Sequence, residues 1–234
     1  HQPTGTRRFG NDDYAEPWLA QRVFVTQGPG GARRVWAVFI HSLLFPTVLQ
    51  ELDARSGTVR QEYWSDGYID SVDEATWSGR PVVLVGAANN DFRAASLAVF
   101  PPDAVTGAAP AARPAYACRN CPPGGPESFF LFPSLCLSRR AGQAGVLDAW
   151  VESGDRLRVT VAQEGGTATF YTLGPDGTVL AAEISRELQA RHALLERQGV
   201  LDHPFGPRDD RDMFPVRRWD GRRFVDLNVV PVAH

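Results

Sequence analysis

The residues best suited to chemistry by type and spacing are Cys118, Cys121 and Cys136. Two thiolates at Cys-x-x-Cys spacing can clamp one zinc ion. A closed structural zinc site wants four ligands, however, and no histidine lies close by in the sequence to complete it. The same three cysteines permit a disulfide, either between Cys118 and Cys121 or from one of them to Cys136, and free thiols are the third reading. A thioredoxin-type redox motif fits less well, because Pro122 and Pro123 stand where such a motif continues as a helix. These cysteines are therefore the candidates for a metal site or a disulfide; no residue is assigned a catalytic role and no cofactor is expected.

The histidines are His1, His41, His192, His203 and His234, and none is paired at metal-ligand spacing or set beside a serine elbow. Gly-x-Ser-x-Gly and His-Glu-x-x-His are both absent. His41 ends an apolar strand and His192 falls on the inner face of a helix, so each reads as structural. His203, between Asp202 and Pro204, reads as a tie between a turn and a sheet. An N-terminal His1 could offer copper its amine and ring nitrogen, but such a site needs further ligands, and Gln2 to Gly5 reads as a turn.

Among the carboxylates, Asp66, Asp70, Asp73 and Glu74 fall close together. Glycoside hydrolysis needs two carboxyls facing one another across a cleft, which neighbours on one strand do not supply. The expectation is a solvated strand edge protected by charge. Asp209-Asp210-Arg211-Asp212 lacks the alternation and glycine of a calcium loop. Gln27-Gly28-Pro29-Gly30-Gly31 is no phosphate loop, since it lacks the Gly-Lys-Ser/Thr ending and a following helix.

The elements that must position these residues are strands. Thr47 to Asp53 and Thr58 to Trp64 form a hairpin closed by Asp53 and Gly57. Val23 to Thr26, Arg34 to Ile40, Tyr68 to Trp77, Pro81 to Gly86 and Ala95 to Phe100 are further strands. Residues 1–22 read as a lead-in segment anchored by Phe9, Tyr14 and Trp18, and residues 101–127 as a long Pro/Gly-rich loop. Strands resume with Phe129 to Phe132, Val146 to Glu152, Arg156 to Gln163, Thr167 to Leu173 and Thr178 to Glu183. A helix is expected over 185–199, with Ser185 as N-cap, Gly199 as stop, and Ile184, Leu188, His192 and Leu195 on one face. Asp220-Gly221 signals a last hairpin.

Composition sets the outer bounds. The chain has 234 residues, 43% of them hydrophobic and 22% charged, within the ordinary range for globular proteins. A mainly β unit of this length is commonly a single domain. No apolar run reaches the roughly 20 residues a membrane span needs, so no membrane contact by this segment is expected. All 24 basic residues are arginine, dispersed against a net charge of -3, and no nucleic-acid partner is expected. The chain starts at His1 and its only methionine is Met213, which leads to the expectation of a processed product or a part of a longer parent chain.

Leu52-Asp53-Ala54-Arg55-Ser56-Gly57-Thr58-Val59, followed by Pro81 to Asn90, resembles the repeats of bacterial FG-GAP or VCBS-type β-propellers and their quinoprotein-like relatives, across roughly Val35 to Phe100. With the helix and Leu201 to Phe205, the layout is similar to uncharacterised C-terminal β-rich regions attached to membrane-anchored bacterial regulators. The resemblance implies a partial propeller, or an open antiparallel sandwich, with one C-terminal amphipathic helix. It implies a binding, sensing or scaffold module, with a protein or small-molecule ligand and the remainder of the parent chain as partners. It also implies an extracytoplasmic, periplasmic location if the parent is membrane-anchored. The rival expectation is a hydrolase or a redox or metal-binding domain whose residues converge only in three dimensions.

Overall fold

The computed structural model describes residues 3, 6–28, 30–42, 46–132, 146–152, 155–162, 168–184 and 216–227. The chain is mainly β, and its strands follow one another in three antiparallel meanders. Ahead of them stands a small hairpin of β1 (Arg7–Phe9) and β2 (Asp12–Tyr14). The first meander runs β3 (Trp18–Gln27), β4 (Arg33–His41), β5 (Thr47–Leu52) and β6 (Val59–Ser65), each strand pairing with the one before. The second begins with β7 (Ile69–Trp77), β8 (Arg80–Asn89) and β9 (Ala94–Phe100). The chain then leaves through β10 (Gly107–Ala108), which adds in parallel to β6, and returns as β11 (Ser128–Phe132) beside β9. The third meander is β12 (Val146–Glu152), β13 (Arg156–Ala162), β14 (Ala168–Leu173) and β15 (Val179–Ile184). Finally β16 (Arg217–Trp219) and β17 (Phe224–Asp226) form a hairpin that extends the second sheet past β11.

The three sheets stack, with the second in the middle. Side chains alternate across a strand, and in β8, β9 and β11 both alternating sets are apolar. Val82, Leu84, Ala95, Leu97, Val99, Phe130 and Phe132 face the third sheet, where they meet Leu157, Val159, Val161, Tyr171 and Leu173. Val83, Val85, Ala98, Phe100, Phe129 and Leu131 face the first sheet and meet Trp36, Val38, Leu49 and Tyr63. The first strands of successive sheets also lie beside one another, β3 next to β7 and β7 next to β12. Among the described residues the stack does not close into a ring.

The outer face of the first sheet carries Ala37, Phe39, Val48 and Trp64. It is covered by Phe9, Trp18 and Tyr14, with Ala108, Cys118 and Cys121 against it. Residues 6–22 of the expected lead-in pack onto the body, with Phe9 and Trp18 fully buried, and β3 begins at Trp18 rather than Val23. Trp18 explains the early start, since its ring packs edge-on to Trp64 at 5.0 Å and to His41 at 5.1 Å. The expected loop over 101–127 is a long connection, but an ordered one. It carries β10, a 3-10 turn at Pro114–Tyr116 and a close crossing at Gly107, where an added Cβ would lie 2.0 Å from the Gly124 carbonyl oxygen. The helix expected over 185–199 lies outside the described residues, and no α-helix occurs among those described.

Candidate functional site

Cys118 and Cys121 are joined in a disulfide, which removes them as zinc ligands. The bond closes a tight loop that clamps the amino-terminal hairpin. Cys118 bridges Phe9, the Arg119 N–H donates to the Arg8 carbonyl at 2.8 Å, and the Arg8 N–H donates to Asn120 Oδ1 at 2.6 Å. Cys136 lies outside the described residues, as do His1, His192, His203 and His234. Among the described residues no three His, Cys, Asp or Glu side chains are grouped to hold a metal ion. His41 is buried, with Nε2 2.7 Å from the Ala15 carbonyl oxygen, as a structural histidine would be.

The acidic group on and before β7 departs from the expected solvated edge. Asp66 is 2% exposed and the Glu74 side chain is 3% exposed. The reason is the stacking: β7 is an edge within its own sheet, but its neighbour β3 belongs to the next one. The Arg22 guanidinium donates to the Asp70 carbonyl at 2.8 Å, and the Thr26 hydroxyl donates to Glu74 Oε1. Burial raises the pKa of Asp70 against the opposing pull of Arg22.

Glu74 leads into a charged seam between the first two sheets. Trp36 Nε1 donates to the Thr26 hydroxyl at 2.9 Å, and Glu74 Oε2 lies 3.5 Å from Arg34 Nε. Arg34 also reaches Glu51 Oε2 at 3.2 Å, the Pro102 carbonyl at 3.0 Å and Asp103 Oδ1 at 3.0 Å. Burial opposes its charge, but the hydrogen bond to Asp103, with Glu51 and Glu74, more than compensates and raises its pKa. Gln61 donates to Glu51 Oε2 and to the Pro102 carbonyl, and its own oxygen accepts from the Val105 N–H at 2.7 Å. Gly28 leaves the room this needs, because a Cβ there would sit 2.6 Å from Glu74 Oε2.

Above the seam opens a cleft of about 290 Å³, lined by Ala32, Arg33, Arg34, Glu51, Arg60, Gln61 and Asp103. Its floor is the Arg34–Glu51 pair; its rim is Arg33, Arg60 and the largely exposed Asp103. Arg60 is tied to Asp53, which also accepts from the Ser56 N–H and hydroxyl and from the Arg55 N–H; these bonds hold the Asp53 carboxyl well below its ordinary range. Both oxygens of Glu51 are engaged, Oε1 by Arg34 at 3.3 Å with Arg60 at 3.8 Å, and Oε2 by Arg34 and Gln61. Three hydrogen bonds and the nearby Arg60 fill most of this carboxylate's acceptor positions and hold it in place, so the cleft has a fixed floor and charged groups at its rim.

A second buried cluster lies where β6 passes to β7. Asp66 Oδ2 accepts from the Asp91 N–H at 3.2 Å. Asp91 in turn accepts from the Ala112 N–H at 2.7 Å and from Arg113 Nε at 2.5 Å. Arg113 sits 4.5 Å over the Tyr116 ring. Burial, with the neighbouring Asp91 carboxylate, pushes the Asp66 carboxyl up to about 7 although the Asp91 N–H and Arg113 act in the opposite sense. In the sequence Asp66 stands out by its position among carboxylates and not by its burial, and Arg34 and Asp91 do not stand out at all. Glu51 gave one signal, a carboxylate inside a strand of otherwise buried pattern. In comparisons with protein-family models, with curated proteins and with solved structures, the chain has no match.

Proposed function

We propose that the chain is a non-catalytic recognition or scaffold module whose binding surface is the cleft rimmed by Arg33, Arg60 and Asp103. The observation that carries this reading is the state of the two seam carboxylates. Glu51 and Glu74 are already held by Arg34, Gln61 and Thr26, and the rim carboxylate Asp103 is paired with Arg34, so the cleft offers charged groups for binding and no two facing carboxylates free to share a proton transfer. Two guanidinium groups and one carboxylate suit a small polar ligand that carries an anionic group and a hydrogen-bond donor. The cleft volume falls near the lower end for small-molecule sites, in keeping with a ligand of few heavy atoms.

The finer architecture is that of three successive propeller-type blades forming an arc. Strand order within each sheet follows the sequence, and the first strands of neighbouring sheets adjoin, as blades do around an axis. The Cys118–Cys121 disulfide supports placing the module in an oxidising, extracytoplasmic compartment. Thermal-shift measurements with a panel of amino acids, dipeptides and sugar acids test the binding reading. A ligand that raises the melting temperature of the wild type but not of Arg33→Ala/Asp103→Ala supports it. Hydrolytic turnover that disappears in Glu51→Gln would show instead that the cleft is catalytic.

A further inference from the structure

The edge of the first sheet carries a surface that the cleft does not use. Among the described residues β3 is the last strand of that sheet, ten residues long, and it pairs with β4 on one side only. Arg22 and Thr26 turn toward β7, where Asp70 and Glu74 hold them, and Phe24 packs into the core between the first two sheets. Val23 and Val25 alternate with these residues and point the other way; each is 66% exposed, among the largest exposures of an apolar side chain in the described structure. A long sheet edge with no strand beside it among the described residues, and with two exposed valines on it, is a template for another strand.

The sequence of that edge identifies the strand that fits. Gln21-Arg22-Val23-Phe24-Val25-Thr26-Gln27 is nearly palindromic about Phe24. We infer that β3 pairs antiparallel with β3 of a second copy of this chain, across a two-fold axis at Phe24. In that register Val23 lies opposite the partner's Val25 on both sides of the axis, and Arg22 lies opposite the partner's Thr26. Gln21 and Gln27 meet at the ends of the pairing. No like charges face each other, and the two apolar pairs are β-branched residues of the kind that stabilise neighbouring strands. The contact is self-complementary, as a two-fold interface requires, and it joins two first sheets into one continuous sheet. The bulge at Gln21 in the β3–β4 ladder marks one end of the regular stretch, which confines the pairing to this segment.

Sedimentation equilibrium over a range of concentrations tests the inference, with circular dichroism reporting the fold. The wild type is expected to show a monomer–dimer equilibrium. Val23→Lys/Val25→Lys sets lysine against lysine on both sides of the axis and is expected to raise the dimer dissociation constant at least about tenfold. Val23→Lys/Val25→Glu sets opposite charges across the same axis and should bring the constant back to within about threefold of wild type. That rescue also shows that charge on this edge leaves the fold intact. A wild type that stays monomeric at millimolar concentration overturns the inference. So does a double-lysine variant that dimerises as well as wild type, or a lysine–glutamate variant no better than the double lysine.

Discussion

The two interfaces between stacked sheets are built from different materials. Between the second and third sheets the described residues meet in an apolar cluster, with Phe130, Phe132, Leu97, Leu157, Val159 and Tyr171 at its centre. Between the first and second sheets an apolar cluster of similar make-up is bordered by buried charge, the Arg34 seam near β3 and Asp66 with Asp91 near the β6–β7 passage. The difference separates two jobs. Apolar stacking supplies stability without much directional preference, whereas buried ion pairs add little net stability but penalise any arrangement that leaves one partner alone. Arg34 and Thr26 tie the first sheet to Glu74 of the second along this seam, and the cleft opens above it.

The largest expected effect lies on the apolar side. Phe130 is fully buried between the second and third sheets, against Trp77 and Phe132. Phe130→Ala should cost about 3 to 5 kcal/mol by urea denaturation, as transfer and cavity costs add. A loss below about 1 kcal/mol would mean that the third sheet is loosely docked, and would erase the contrast between the interfaces.

The next effect belongs to Asp66 and is a dependence on pH. Below about pH 4 the carboxyl is protonated in both the folded and unfolded chain, and it contributes nothing to the pH profile. As the pH rises, the unfolded chain releases its proton first. The folded carboxyl, pushed up to about 7, holds on, so folding stability falls across that window and levels off above it. The full drop is up to about 4 kcal/mol from this group alone. Asp66→Asn should remove it. The difference between variant and wild-type stability should therefore grow in the variant's favour from pH 4 to pH 8, and a difference that stays flat with pH would place Asp66 in contact with water.

Much of this arrangement was legible in the sequence, for a physical reason. β8 and β9 read as strands because their apolar runs are continuous, and the same continuity reflects burial on both faces. The turns at Asp53 to Gly57 and at Asp220-Gly221 announced their hairpins through residues that tolerate a positive φ, and both glycines adopt one. The seam was not legible, because its partners come from separate strands and loops. Thr26 and Glu74 stand 48 residues apart and Arg34 and Asp103 stand 69 apart, and no local period links such pairs. Arg34 looked like the polar start of a strand, and Glu51 like a hairpin position. For the cysteines the alternatives were open until the fold brought the amino-terminal hairpin beneath the loop.

A smaller effect is expected in the seam itself. Glu51→Ala leaves Arg34 with Glu74 and Asp103 as carboxylate partners, so the cost should be about 2 to 3 kcal/mol, reduced from that of a fully buried pair by the solvent that reaches Arg34. The coupling is the sharper quantity. In a double-mutant cycle with Arg34→Ala, the two losses should fall short of additivity by about 1 kcal/mol or more. Additive losses would show that the guanidinium and the carboxylate do not act on one another.

The smallest effect concerns the cap on the outer face of the first sheet, a third kind of contact beside the two interfaces. The Cys118–Cys121 ring spans three positions in sequence, and a loop that short constrains the unfolded chain least. Chain entropy gives it about 2 kcal/mol at most. Cys118→Ser/Cys121→Ser should therefore lower stability modestly, while the loss should concentrate locally, because the loop anchors β1 through Phe9, Arg8 and Asn120. Hydrogen exchange separates the local consequence from the global one. The amides of Gly10 and Arg119, which bond across this junction at 2.8 Å each, should exchange faster in the variant, while the β8 and β9 amides keep their protection. With three cysteines in the chain and two in the bond, thiol titration of the denatured wild type should find one free thiol. Three free thiols would dissolve the clamp, and the cap would then rest on Phe9, Tyr14 and Trp18 packing alone.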